Sequence, residues 1–176
     1  MRYNIFNKAH FPLKTSLLSA CVSIDKIATH GVTFAADAVE KVKNVLQAYN
    51  ETIVFEGLHI FPLVFEYEPS VWNNYASEHN RMTRLANYLK SLIQSYYHQS
   101  KAKDKLDLIA SISKSYNEFM MANFDHMNDE EAVLNEILWR YYRDQVLSQL
   151  EEKMHTLPDL IKTQSYERKL QIATAA

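Results

Sequence analysis

The sequence predicts an all-α protein: an antiparallel up-down four-helix bundle with a short additional C-terminal helix. Three observations predict it. Glycine occurs twice and proline four times in 176 residues, too few turn formers for many short strands. Apolar residues recur at alternating steps of three and four along four long segments, the periodicity of a helix with one buried face. Short polar connections join those segments, which makes antiparallel packing the economical arrangement.

The first helix carries His10, Leu13, Leu17, Ala20, Ile24 and Ile27 on one face. Pro12 fits if the helix starts near His10, because proline suits a first turn, and Gly31 suits its stop. The second spans residues 34–65, with Ala38, Val42, Val45, Tyr49, Thr52, Glu56, His59 and Leu63 as its repeating face. Pro62 should kink or end its regular part, having no N–H to donate. The third opens at "EPS" and runs to Ser100, with Trp72, Tyr75, His79, Met82, Ala86, Leu89 and Ile93 on its stripe. The fourth spans 103–142, with Ile112, Tyr116, Phe119, Asn123, His126, Glu130, Leu134 and Ile137. A shorter amphipathic helix, "DQVLSQLEEKMHTL", precedes Pro158. Residues 1–163 make the bundle domain and 164–176 a weakly patterned tail.

Composition removes several functional classes. Net charge is -2 with no basic cluster, so no nucleic-acid surface is expected. Cys21 is the only cysteine. It cannot form an internal disulfide and fits a reducing compartment. No apolar run reaches the roughly 18 residues of a membrane span, and "MRYNIFNKAHF" lacks a secretory apolar region. The expectation is a soluble cytoplasmic protein with no membrane partner.

Polar residues interrupt all four apolar stripes: His10 on the first, Glu56 and His59 on the second, His79 on the third, His126 and Glu130 on the fourth. Buried charge is costly unless it is paired or binds a metal. Imidazole and carboxylate suit iron, manganese or zinc, and a glutamate can bridge two ions while neutralising them. Glu56-x-x-His59 has the i, i+3 spacing of carboxylate-bridged two-metal bundles. His126-x-x-x-Glu130 stacks two ligands on one face. Singly, each histidine is better explained as structural, and Glu56 or Glu130 can be paired with Arg81 or Arg84. Six such residues on four helices favour a metal cage instead. His30, His98 and His155 lie near helix ends, where solvation and the C-terminal dipole suit them. Tyr49, Tyr75 and Tyr116 fall on the stripes, where packing with the hydroxyl on a partner is the main expectation. Gly57 costs about 1 kcal/mol in a helix interior. It marks either a bulge beside the site or drift at a solvent-facing position.

At these residues the chain resembles the hemerythrin-like, or HHE cation-binding, family, over roughly residues 3–160. "HMNDEEAVL" followed by "LWRYYRDQVLSQL" resembles the family's last-helix run. "IFNKAHFPLKTSLL" resembles the run in which a histidine opens the first helix, "EGLHIFPLVFEYEPSVW" the end of the second helix, and "SEHNRM" the start of the third-helix motif. The resemblance implies a bundle holding two irons on five histidines and two bridging carboxylates. It puts His10, Glu56, His79, His126 and Glu130 on ligand positions. Two positions depart from the pattern: Thr52 and Thr83 stand where the family carries histidine. His59 is the candidate compensating ligand, one turn from Glu56.

Three functions follow as expectations. The first is a metal-binding protein, with iron as the expected ion, for sensing oxygen, nitric oxide or redox state, or for iron handling. Its partners are the metal ion and a small diatomic ligand. The second is a metal-free bundle that keeps the fold and acts as a protein-interaction or structural module. The third, least favoured, is an oxidase or peroxidase-like enzyme; the sequence has no Ser-His-Asp set and no phosphate loop. "LEEKMHTLPDL" either covers one end of the bundle or makes a homodimer contact.

Overall fold

The computed structural model describes residues 2–30 and 32–155; the expected tail, 164–176, and the boundary at 163 lie outside them. The described residues are helical almost throughout and contain no strand. Helix α1 is Asn7–His30, and a 3-10 turn, Val32–Phe34, leads into α2, Ala35–Phe55. A π-helical turn, Glu56–Ile60, joins α2 to α3, Phe61–Phe65. Next come α4, Pro69–His98, and α5, Ala102–Asp129. A second π turn, Glu130–Leu134, joins α5 to α6, Asn135–Tyr141, and α7 is Asp144–His155. Among the described residues no helix is long and apolar enough to cross a membrane.

Local chemistry explains most boundaries. Pro69 opens α4 in its first turn, where its missing N–H costs nothing. Gln99 leaves the helical region after α4, and its side-chain carbonyl accepts the N–H groups of Ser100 and Lys101. One residue therefore ends α4 and holds the short connection to α5. Helix α1 starts three residues before His10, so Pro12 lies inside it rather than in a first turn at His10. The start is set upstream, where the Asn4 side chain accepts the N–H of Phe6 at 2.9 Å and the Phe6 carbonyl accepts from His10 at 2.8 Å.

The main packing pairs are α1 with α2 and α4 with α5, and α1 also meets α5 while α2 meets α4. Two separate apolar cores result. The larger contains Leu13, Leu17, Tyr49, Ile53, Met82, Phe119 and Met127. The smaller contains Ile5, Phe6, Ile60, Phe61, Val64, Tyr75, Leu134 and Leu147. The sequence steps from one core to the other at His10, Glu56, His79 and the pair His126 and Glu130. A polar layer therefore divides the apolar interior. Helix α7 joins the smaller core through Leu147. An N-terminal strap holds the same end: Arg2 donates to the carbonyls of Trp139 and Tyr142 and pairs with Asp144, while the Trp139 indole donates to the Tyr3 carbonyl.

Candidate metal centre

Each glutamate of the polar layer is the first residue of a π turn. Such turns insert one residue into an α-helix and are frequent at functional sites. The insertion shifts the buried stripe. After Glu56 the buried positions are Ile60, Phe61 and Val64, not His59 and Leu63 as an uninterrupted helix requires. Gly57 sits within this turn, so the bulge is the structural outcome at that position. Pro62 follows in the first turn of α3; the helix path continues past it to Phe65, with its irregularity placed ahead of the proline.

One ligand atom from each of Glu56, His79, His126 and Glu130 lies within 4.8 Å of the others. His79 Nε2 is 3.4 Å from Glu56 Oε2 and 3.5 Å from Glu130 Oε1, and His126 Nε2 is 3.1 Å from the same Glu130 oxygen. His10 Nε2 approaches from the other side, 2.8 Å from Glu56 Oε1 and 3.3 Å from Glu130 Oε2. Each carboxylate thus turns one oxygen to His10 and the other to the His79–His126 pair. His10, Glu56, His126 and Glu130 are buried, and the His79 side chain is 11% exposed.

Proximity here is mostly not hydrogen bonding. His79 Nε2, His126 Nε2 and both Glu130 oxygens are buried and make no hydrogen bond of acceptable geometry. Buried polar atoms are nearly always satisfied, so this group of orphans fits a cation that accepts their lone pairs together. The spacing agrees: donors about 2.1 Å from one tetrahedral centre are about 3.4 Å apart.

Outer contacts orient two of the imidazoles. His126 Nδ1 is 2.7 Å from Glu78 Oε2. His10 Nδ1 is 2.8 Å from Glu131 Oε1, which also accepts from Lys14 at 2.8 Å. At His126 the carboxylate on the far nitrogen fixes the tautomer and aims the Nε2 lone pair inward, the usual support for a metal-ligating histidine, whereas His10 meets a carboxylate on both ring nitrogens. Aromatic rings wall the layer: Phe61 packs edge-on to His79, Tyr75 tilts against His126, and Phe6 stacks on His10.

The electrostatics of the metal-free layer follow from the same contacts. Burial opposes charge on His10, yet the neighbouring carboxylates of Glu130, Glu131 and Glu56 outweigh it and raise its pKa from 6.5 to about 11. Burial likewise opposes charge on His79, but Glu130 and Glu56 raise it to about 9. His126 is raised against burial, chiefly by Glu130. Burial pushes the Glu130 carboxyl up, but the three histidines hold it well below its usual range. Without a metal, the layer is a proton-filled ion-pair network.

No protein-family model, curated protein or solved structure matches this chain.

Five of the six candidate ligands therefore meet. His59 is outside the converging group of four; it is half-buried, with its ring against Phe55. Arg81 and Arg84 are exposed, and the buried glutamates face histidines instead. Thr52 turns its hydroxyl onto the Ala48 carbonyl at 3.0 Å, and the Thr83 hydroxyl lies 3.2 Å from that of Tyr49. Tyr116 donates to the Leu17 carbonyl and Tyr75 to that of Asp129. Both of those hydroxyls meet backbone, as core packing requires. His98 is exposed and its Nδ1 donates to the Gln94 carbonyl; the side chains of His30 and His155 lie outside the described residues. Glu78 and Glu131 went unrecognised in the sequence. Their only signal is adjacency to His79 and Glu130.

Proposed function

We propose that this chain is a hemerythrin-like metal-binding protein, with iron as the expected ion, built as an antiparallel up-down four-helix bundle. Helix α1, the α2–α3 rod, α4 and the α5–α6 rod are the four members, and α7 is the additional helix. The observation that carries the reading is the convergence of Glu56, His79, His126 and Glu130, with His79 Nε2, His126 Nε2 and both Glu130 oxygens left without hydrogen-bond partners. Mixed imidazole and carboxylate donors suit ferrous iron, and also manganese or zinc. His79, His126, Glu56 and Glu130 would hold the ion; Glu78 would orient His126. When bound, iron would supply reversible redox chemistry or an attachment point for a small diatomic molecule, which fits a sensing or iron-handling role better than turnover of an organic substrate. The test is to purify the protein anaerobically after iron supplementation, count metal per chain and record its absorption spectrum. Clean, metal-free protein would overturn the reading.

A second reading has its own support. His10 is hydrogen-bonded on both ring nitrogens, and neither Thr52 nor Thr83 replaces a histidine ligand. On that reading the layer is a self-satisfied ion-pair network in a protein-interaction or structural bundle. Restoring histidine at both threonines would then create metal binding where the parent chain has none.

A further inference from the structure

We propose that the centre takes one divalent metal ion per chain, on the His79–His126 side, and that His10 is a positioning residue rather than a ligand. This rests on the metal-binding reading above and narrows it to a single asymmetric position.

The two sides of the carboxylate pair differ in geometry. On the His79–His126 side the nitrogen–oxygen separations are 3.1, 3.4 and 3.5 Å. These are edge lengths of a coordination shell, about 3.0–3.4 Å for metal–ligand bonds near 2.1 Å. Both ring nitrogens facing that side are orphaned. On the other side His10 Nε2 stands 2.8 Å from Glu56 Oε1 and its Nδ1 2.8 Å from Glu131 Oε1. Those are hydrogen-bond separations, and His10 Nε2 is not among the unsatisfied atoms. His10 grips Glu56 directly, so it sets the angle at which that carboxylate presents Oε2 to His79.

Ligand count and charge point the same way. The His79–His126 side offers two imidazoles and two carboxylate oxygens, a complete four-donor set for a divalent ion. The His10 side offers one imidazole and the two remaining oxygens. The hydroxyls of Thr52 and Thr83, at the positions that could enlarge either set, are turned onto Ala48 and Tyr49. Glu56 and Glu130 together carry two negative charges, which neutralise one divalent ion. A second ion would add two positive charges in a buried layer whose further carboxylates, Glu131 and Glu78, sit on the outward nitrogens of His10 and His126, a costly arrangement.

The test is anaerobic titration of the full chain with Fe(II), and separately with Co(II) as a spectroscopic stand-in, followed by metal analysis of the desalted protein. One ion per chain is expected. Two ions per chain would overturn this proposal and leave the metal-binding reading standing; none would overturn both. His79→Asn and His126→Asn are each expected to lose the ion. His10→Asn is expected to keep one ion, with affinity lowered about 10–100-fold, as for other residues that orient a ligand. Its Co(II) ligand-field bands should stay at the energies of the parent protein. Loss of the ion from folded His10→Asn, or a shift of those bands, would show His10 to be a ligand. If that variant does not fold, the stoichiometry of the unaltered chain still decides.

Discussion

At Glu130, three histidine nitrogens approach one fully enclosed carboxylate at 3.1–3.5 Å. Its replacement by glutamine removes the charge and keeps the shape. In the metal-free protein Glu130→Gln should cost about 3–5 kcal/mol, the usual cost of breaking a buried pair from one side, measured by denaturant unfolding. An unchanged midpoint would mean that the histidines are neutral and indifferent to it. Glu78→Gln tests the outer contact. It should weaken metal affinity by about 10–100-fold in a chelator competition while leaving the helical content unchanged; parent-like affinity would remove Glu78 from the centre. At this scale the sequence was informative wherever a polar residue broke its own helix's stripe, as at His10, Glu56, His79, His126 and Glu130. It was silent on Glu78, because that residue's partner, His126, lies on another helix 48 positions away. It also misassigned His59, since the stripe was extended through a turn whose width no local pattern announces.

Two of the long helices, α2 and α5, are interrupted at candidate ligands, Glu56 and Glu130. An uninterrupted α2 would carry His59 and Leu63 on the buried face; the π turn at Glu56–Ile60 buries Ile60, Phe61 and Val64 instead. Deleting Gly57 removes the inserted residue, so a regular α-helix would still turn Ile60, Phe61 and Val64 to the smaller core, three, four and seven residues after Glu56. The variant should therefore fold and melt close to the parent. A transition far below the parent's would show that the π turn itself, and not only the register it sets, holds that segment. Helix existence and face were legible here because 3–4 periodicity runs for many turns. The start of α1 was displaced because Asn4 and Phe6, both before the periodic run, set its first bonds.

For the whole molecule, the proposed metal would compete with protons for the nitrogens of His79 and His126. In the metal-free protein the folded pKa values of His10 and His79 lie at about 11 and about 9, above the ordinary 6.5. A raised histidine pKa means the folded state holds the proton more tightly than the unfolded chain. The stabilisation is therefore complete below pH 6.5 and is lost as pH rises through 9 and then 11. Metal-free protein should melt at progressively lower temperature from pH 7 to pH 10. Metal needs deprotonated imidazole at His79 and His126, so its apparent affinity should climb as pH rises toward 9. Affinity independent of pH would contradict the proton count. The all-helical character was legible because two glycines and four prolines leave few places to turn and the 3–4 periodicity fills the segments between them.

The polar layer between the two apolar cores has a consequence for cooperativity. Each core is a candidate folding unit of its own, joined to the other by the helices that run through both and by the polar seam between them. Chelated protein should therefore show two blocks of amide protons in native-state exchange, with the block around Ile60, Leu134 and Leu147 opening first because it is the smaller. An ion in the seam would weld the blocks, and their exchange rates would merge.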